Sequence, residues 1–204
     1  MTTTDAVPAA TQPASRPTKP SMLSHVAYIT HDTEATVAFY TELLGMELVN
    51  AVLDDAIPST GDPVPYFHSF FRMADGSTVA FFEAPELPPP PAATHAAYDV
   101  FQHLALQVDS PADVDRWHAW LVQGGIEVLG PVDHKIIYSI YFHDPNGLRL
   151  EITAVLDPTW NDRSDQAHAS LAEWSEVKAT AAESRRDLVS VLADLTRLRS
   201  RRRS

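Results

Sequence analysis

Near Met22 the order of apolar and polar positions along the chain becomes regular. Residues 24–30, "SHVAYIT", alternate with the period of two expected of a half-buried strand. Asp32 stands where a helix cap is needed, and Val37, Tyr40, Leu43 and Leu44 then recur at helical spacing until Gly45 stops the helix. "MELVNAVL" (46–53) predicts a second strand. "YFHSFFRM" (66–73) and "STVAFFEA" (77–84) flank Asp75-Gly76, which predicts an antiparallel hairpin with a primed turn. The unit reads β-α-β-β-β.

In "PELPPPPAATH" (85–95) consecutive prolines fix φ and remove N–H donors, which predicts a stiff, extended linker. After it the same order returns. "QHLALQV" (102–108) predicts a strand, Ser110 a cap, and Pro111 the first helical residue, with Asp113 three after the cap. Val114, Trp117 and Leu121 share one helical face, and Gly124-Gly125 ends it. "IEVLGPV", "IIYSIYFH" and "LRLEITA" supply three more strands. Matching the halves sets "SHVAYIT" on "QHLALQV", with His25 over His103, and "TVAFFEA" against "LRLEITA", with Glu83 and Glu151 paired as the carboxylate near the end of each last strand. The expected boundaries are module one at 22–86, a linker at 87–98 and module two at 99–156.

The flanks differ from this core. Residues 1–21, rich in Thr, Ala and Pro, cannot bury enough apolar surface to order themselves and predict a disordered arm. Residues 157–204 predict a C-terminal helical tail, because Leu188, Val191, Leu192, Leu195 and Leu198 form a helical stripe ahead of the basic tip "RLRSRRRS". The stripe could pack on a partner, cover the site or stand in solvent.

Charge and composition then narrow the function. With 15 Lys+Arg against 27 Asp+Glu, the formal charge of -12 argues against a nucleic-acid or anionic-membrane binder and leaves small molecules as the expected partners. The chain has no apolar run near the ~20 residues that span a bilayer, and its first residues lack a signal-peptide pattern, so a cytoplasmic location is expected. The absence of cysteine excludes disulfides, thiolate metal sites and cysteine nucleophiles; a metal must be held by nitrogen and oxygen, for which there are nine histidines.

One donor set stands out. His25 and His103 occupy the same place in the repeat, and Glu151 sits in an otherwise apolar last strand, where an unpaired buried charge would cost several kcal/mol. Alternation puts Glu151 on a face with Arg149 and Thr153, opposite Leu148, Leu150 and Ile152. If the two modules pair around a shared cup, two imidazoles and one carboxylate meet, an arrangement that leaves positions open on a divalent ion such as Fe(II).

The duplicated β-α-β-β-β units with His25, His103 and Glu151 resemble the vicinal oxygen chelate superfamily, which includes glyoxalases, fosfomycin-resistance proteins and extradiol ring-cleaving dioxygenases, over residues 22 to about 156. The fold this implies is α+β: two paired modules forming an open, cup-shaped mixed sheet, plus a C-terminal helix. "VDHKIIYSIYFHDPNGLRLE" further resembles the signature of type I extradiol dioxygenases, through His134, Ile140-Tyr141, Asp144-Pro145-Asn146-Gly147 and Glu151. The turn motif is common to the superfamily and is also ordinary hairpin chemistry; His134 with Tyr141 is the specific part.

The resemblance implies a single-domain extradiol dioxygenase that cleaves a catechol-type ring with O2. Fe(II), or Mn(II), is then held by His25, His103 and Glu151, with Glu83 open as a further ligand. His134 and Tyr141 line the substrate side, where a neutral imidazole or phenol can exchange the catechol protons. The chain departs from the larger family members at Ser77, where those carry an acid-base histidine; His68, one strand away, is the candidate substitute. Two other activities stay open: a glyoxalase-like lyase or isomerase using Glu83 and Glu151 around Zn, Ni or Mn, and a metal-free binding protein of the bleomycin-resistance kind that holds a flat ligand among Phe81, Phe82 and Tyr141. Paired-unit folds of this type commonly dimerise, so a homo-oligomer is expected.

Overall fold

The computed structural model describes residues 18–85, 87–89, 91 and 95–203. Most of the N-terminal arm and part of the proline linker therefore lie outside the described residues. Two compact units divide the chain. The first runs up to His103 and includes His143–Arg149; the second comprises Leu104–Phe142 and everything from Leu150.

The first unit begins with β1 (His25–Ile29) and α1 (Thr33–Ala38), which runs into a π-helical turn at Phe39–Leu43. Asp32 caps α1 as its position predicts, accepting the Ala35 N–H at 2.9 Å. β2 (Glu47–Asp54), β3 (Tyr66–Arg72) and β4 (Thr78–Glu83) complete a four-stranded sheet in the order β1-β4-β3-β2. β1 runs parallel to β4, and the other pairs are antiparallel. One face carries Tyr28, Phe71, Val79 and Phe81 against the helix. There Tyr40, fully buried, lies over Phe71 and Phe81 at ring-centroid distances of 5.2 and 5.0 Å.

The β3–β4 turn differs from the expectation. A primed turn centred on Asp75-Gly76 needs φ > 0 at Asp75 in either form, type I′ or type II′, but only Gly76 is positive (φ 88°), and Asp75 is not among the non-glycine residues with positive φ. A β-turn closed by the Gly76 N–H on the Met73 carbonyl is followed by a left-handed glycine, and Asp75 accepts from the Ser77 N–H and hydroxyl.

After the linker a short helix not anticipated from the sequence, α2 (Ala97–Phe101), overlaps the end of the proposed 87–98 spacer. β5 (Leu104–Val108), α3 (Pro111–Gln123), β6 (Leu129–Asp133), β7 (Ile137–His143) and β8 (Arg149–Val155) follow. Their sheet has the order β5-β8-β7-β6, with β5 parallel to β8, so the second sheet repeats the first strand for strand. Ser110 caps α3 and Pro111 opens it as predicted. Val114 and Leu121 of α3, with Ile140, Phe142, Leu150, Ile152 and Ala154 of the sheet, are buried.

The tail holds two helices rather than one, α4 (Ser164–Ser184) and α5 (Leu188–Arg203), separated at Arg185, which takes a left-handed φ of 52°. Val177 and Ala181 of α4 pack on Val191, Leu188, Leu192 and Leu195 of α5, so the stripe read from the sequence closes a helical hairpin.

Candidate functional site

The strand registers decide which side chains can act together. In the first sheet His25 pairs with Thr78, Ala27 with Ala80, and His68 with Phe82. Alternation then places His25, Ala27, Ile29, Thr78, Ala80, Phe82, Phe70 and His68 on the face away from α1. The rings on this face touch. His25 meets Phe70 edge-on at 5.8 Å, while His68 lies 4.1 Å from Phe70 and stacks on Phe82 at 3.5 Å. His25 is exposed, and its Nδ1 lies 3.2 Å from the Ser24 hydroxyl. His68 is 9% exposed, and its Nε2 has no hydrogen-bond partner among the described residues. Burial, and next the neighbouring His25, push its pKa down, which favours the neutral ring.

Glu83 is on the other face. It pairs with Phe67, one residue out of phase with His68–Phe82, and its carboxylate accepts the Thr33 N–H at the start of α1 at 2.9 Å. The matching of Glu83 to Glu151 is corrected by the same registers. His25 opposes Thr78, whereas Leu104, next after His103, opposes Leu150, so the counterpart of Glu151 is Ala80. Glu83 → Ala is expected to lower stability by about 1 kcal/mol, as loss of a helix-end acceptor does, and to leave any metal affinity unchanged; urea unfolding and metal titration check both. Phe81, expected to hold a flat ligand, is fully buried on the helix face and is not available for it, whereas Phe82 lies on the His25 face.

His103, the last residue of the first unit's main stretch, precedes β5 by one residue and is exposed. Glu151, 2% exposed, pairs with Ala105. Thr153 lies on the same face two residues on, and its hydroxyl meets that of buried Ser139 at 2.8 Å. Alternation along β7 and β8 therefore puts Tyr141 on the face of Glu151, opposite Ile140, Phe142, Leu150 and Ile152, as the sequence pattern indicates. Tyr141 is half-buried, and its hydroxyl is 2.8 Å from Nε2 of exposed His134. Glu151, Tyr141 and His134 thus share one side of one sheet. Among the described residues no three His, Asp or Glu side chains form a group that could hold a metal ion.

Ser77 is not a free catalytic group. It is 3% exposed and donates to Asp75 at 2.6 Å within its turn. Asp144 has a structural role that the sequence did not disclose. At 5% exposure it accepts the Tyr40 hydroxyl (3.2 Å), the Asn146 and Leu148 N–H groups (2.8 Å each) and the Asn146 side-chain amide (3.1 Å). Burial first, then Asp144, drive the Tyr40 pKa far up. A cavity of about 680 Å³ is lined by Thr33, Glu34, Leu53, Asp54, Tyr66 and Glu83 among others, and includes neither His25 nor His68.

Two β-α-β-β-β modules with equivalent sheets define the class, and the comparisons with known proteins agree. The family model described as Glyoxalase/Bleomycin resistance protein/Dioxygenase superfamily matches residues 22–152, and the chain belongs to that family. Metapyrocatechase of Pseudomonas sp. (strain CF600) is 29% identical over 134 residues, covering 64% of this chain and 38% of that protein, so the chain spans well under half the length of this curated relative. The glyoxylase/bleomycin resistance protein/dioxygenase domain from Frankia sp. EAN1pec shares the fold with a TM-score of 0.54 at 19% identity, over 67% of this chain and 99% of its own. The fosfomycin resistance protein FosX from Listeria monocytogenes, solved with Mn(II) and sulfate, is 23% identical over 67% of this chain and 93% of its own, with a TM-score of 0.47. No helix among the described residues is long and apolar enough to cross a membrane.

Proposed function

We propose that the chain is an extradiol dioxygenase, with Fe(II) or Mn(II) held by His25, His103 and Glu151 and a catechol-type diol as substrate. The observation that carries this is the hydrogen-bonded pair His134 Nε2–Tyr141 Oη, 2.8 Å apart, on the same sheet face as Glu151. The donor types, two imidazoles and one carboxylate, suit a divalent ion by their chemistry, while among the described residues no three such side chains are gathered as a metal-holding group. Held by His25, His103 and Glu151, Fe(II) would supply Lewis acidity toward a diol and one-electron chemistry toward dioxygen.

The chain's own residues would do the rest. A catechol must lose protons to chelate, and the His134–Tyr141 pair can take one through the imidazole while the phenol hydrogen-bonds the resulting oxyanion. His68, neutral in its aromatic slot, offers Nε2 to a substrate hydroxyl, and Phe70 and Phe82 offer a wall for the ring. The placement of Glu83 on the helix face favours three protein ligands over the four of the lyase reading.

Anaerobic loading with Fe(II), followed by a panel of catechols and air, is expected to give yellow ring-cleavage products and oxygen uptake. His103 → Ala should abolish both. Protein that binds no divalent metal, or loaded protein that consumes no oxygen with any catechol, would overturn the proposal.

A further inference from the structure

Helix α2 leads directly into His103, yet it has little to hold it. None of its five residues is buried, no side chain of its cap residue Ala96 bonds it, and Tyr98, Val100 and Phe101 are exposed. A helix this short does not persist by itself, because its one or two turns do not repay the cost of nucleation. At its start the Ala97 N–H bonds Nδ1 of His95 (3.0 Å), and at its end the Gln102 N–H bonds the Tyr98 carbonyl (2.9 Å); both contacts are local.

Among the described residues Asp99 supplies a long-range anchor. Its Oδ1 is 2.8 Å from Nε2 of His143, at the end of β7, and its Oδ2 is 3.6 Å from the guanidinium of Arg149, at the start of β8. The Arg149 side chain is only 10% exposed. The two partners flank the Asp144–Gly147 turn, which is itself fixed by the Tyr40–Asp144 and Thr36–Asn146 hydrogen bonds. The imidazole and the guanidinium both hold the Asp99 carboxyl below its ordinary pKa, so it is anionic.

We propose that Asp99 is a positioning residue: it latches α2 to the turn between β7 and β8 and thereby fixes the backbone that presents His103. The proposal deepens the reading of His103 as a metal ligand and rests on it. A loosened segment would have to be ordered at the moment of ligation, and that cost appears as weaker binding.

The test compares wild type, Asp99 → Ala and Asp99 → Glu by hydrogen exchange on the metal-free protein and by anaerobic Fe(II) titration. In Asp99 → Ala, exchange at amides 98–103 should rise about tenfold while that of β3 and β4 stays unchanged, and Fe(II) affinity should fall about tenfold, the lower end of what losing an outer-shell partner costs. Asp99 → Glu should recover part of both. Unchanged exchange at 98–103 overturns the latch, and raised exchange with unchanged Fe(II) affinity overturns its role toward His103. Wild type that binds no Fe(II) defeats the dioxygenase reading and the role toward His103 together, whereas the exchange arm still decides the latch.

Discussion

Glu151 → Gln is expected to remove metal binding and oxygen uptake together while leaving the fold intact. The substitution keeps the shape of a side chain that is 2% exposed and keeps an acceptor oxygen, but it removes the charge that a divalent ion needs. The loss of affinity should exceed the roughly 10–100-fold that follows loss of an outer-shell partner. Metal content of the purified variant after Fe(II) loading, with circular dichroism to establish folding, checks it. A variant that retains stoichiometric Fe(II) would remove Glu151 from the ligand set. Tyr141 → Phe is the informative contrast: it should keep the metal and lose turnover, because it breaks the His134 contact without touching a ligand.

The largest stability effect is expected at Asp144. Truncation to Ala strips the acceptor from the hydroxyl of Tyr40, a residue with no solvent exposure, and from two backbone N–H groups of the β7–β8 turn. An unsatisfied buried hydroxyl costs about 1–3 kcal/mol, and with the lost turn bonds the total should reach about 3 kcal/mol or more. Tyr40 → Phe removes one bond and leaves Asp144 with its other donors, so it should cost only about 1 kcal/mol. Urea unfolding of the two variants and their double mutant gives the coupling directly.

The same pair predicts an alkaline limit. The Tyr40 pKa is raised in the folded chain, by burial first and by Asp144 next. Below about pH 10 both folded and unfolded states keep the phenol proton. Above it only the unfolded chain gives the proton up, so stability is full below that pH and falls by up to about 1.4 kcal/mol per pH unit beyond it. Tyr40 → Phe should flatten that decline. Tyr28, also raised by burial and then by Asp144, would retain part of it.

Much of this architecture was legible in the chain. Asp32 and Ser110 announced their helices because a cap is a local contact, and the alternation in "LRLEITA" put Glu151 on the less apolar face because strand side chains alternate whatever the partner. The misreadings came where pairing between distant strands decides. Glu83 looks equivalent to Glu151 along the sequence, but a shift in phase sends it to the helix side, where the α1 N-terminus holds it. Asp75-Gly76 suggested a two-residue turn, yet the loop from Met73 to Ser77 is longer and needs only Gly76 in the left-handed region. Phe81 and Phe82 are adjacent and chemically alike; one is core and the other lies on the His25 face.

The sequence by itself determined the repeat, the order of the elements and the donor types open to a metal, since periodicity, capping and composition are properties of neighbouring residues. Tertiary structure decided the rest: that Glu83 serves a helix, that His68 lies between Phe70 and Phe82, that Tyr141 meets His134, and that Asp144 and Asp99 tie the last hairpin to segments more than 40 residues away. Those outcomes depend on strand register and on which buried polar groups find partners, and both are fixed only when the whole chain has closed its hydrogen bonds at once.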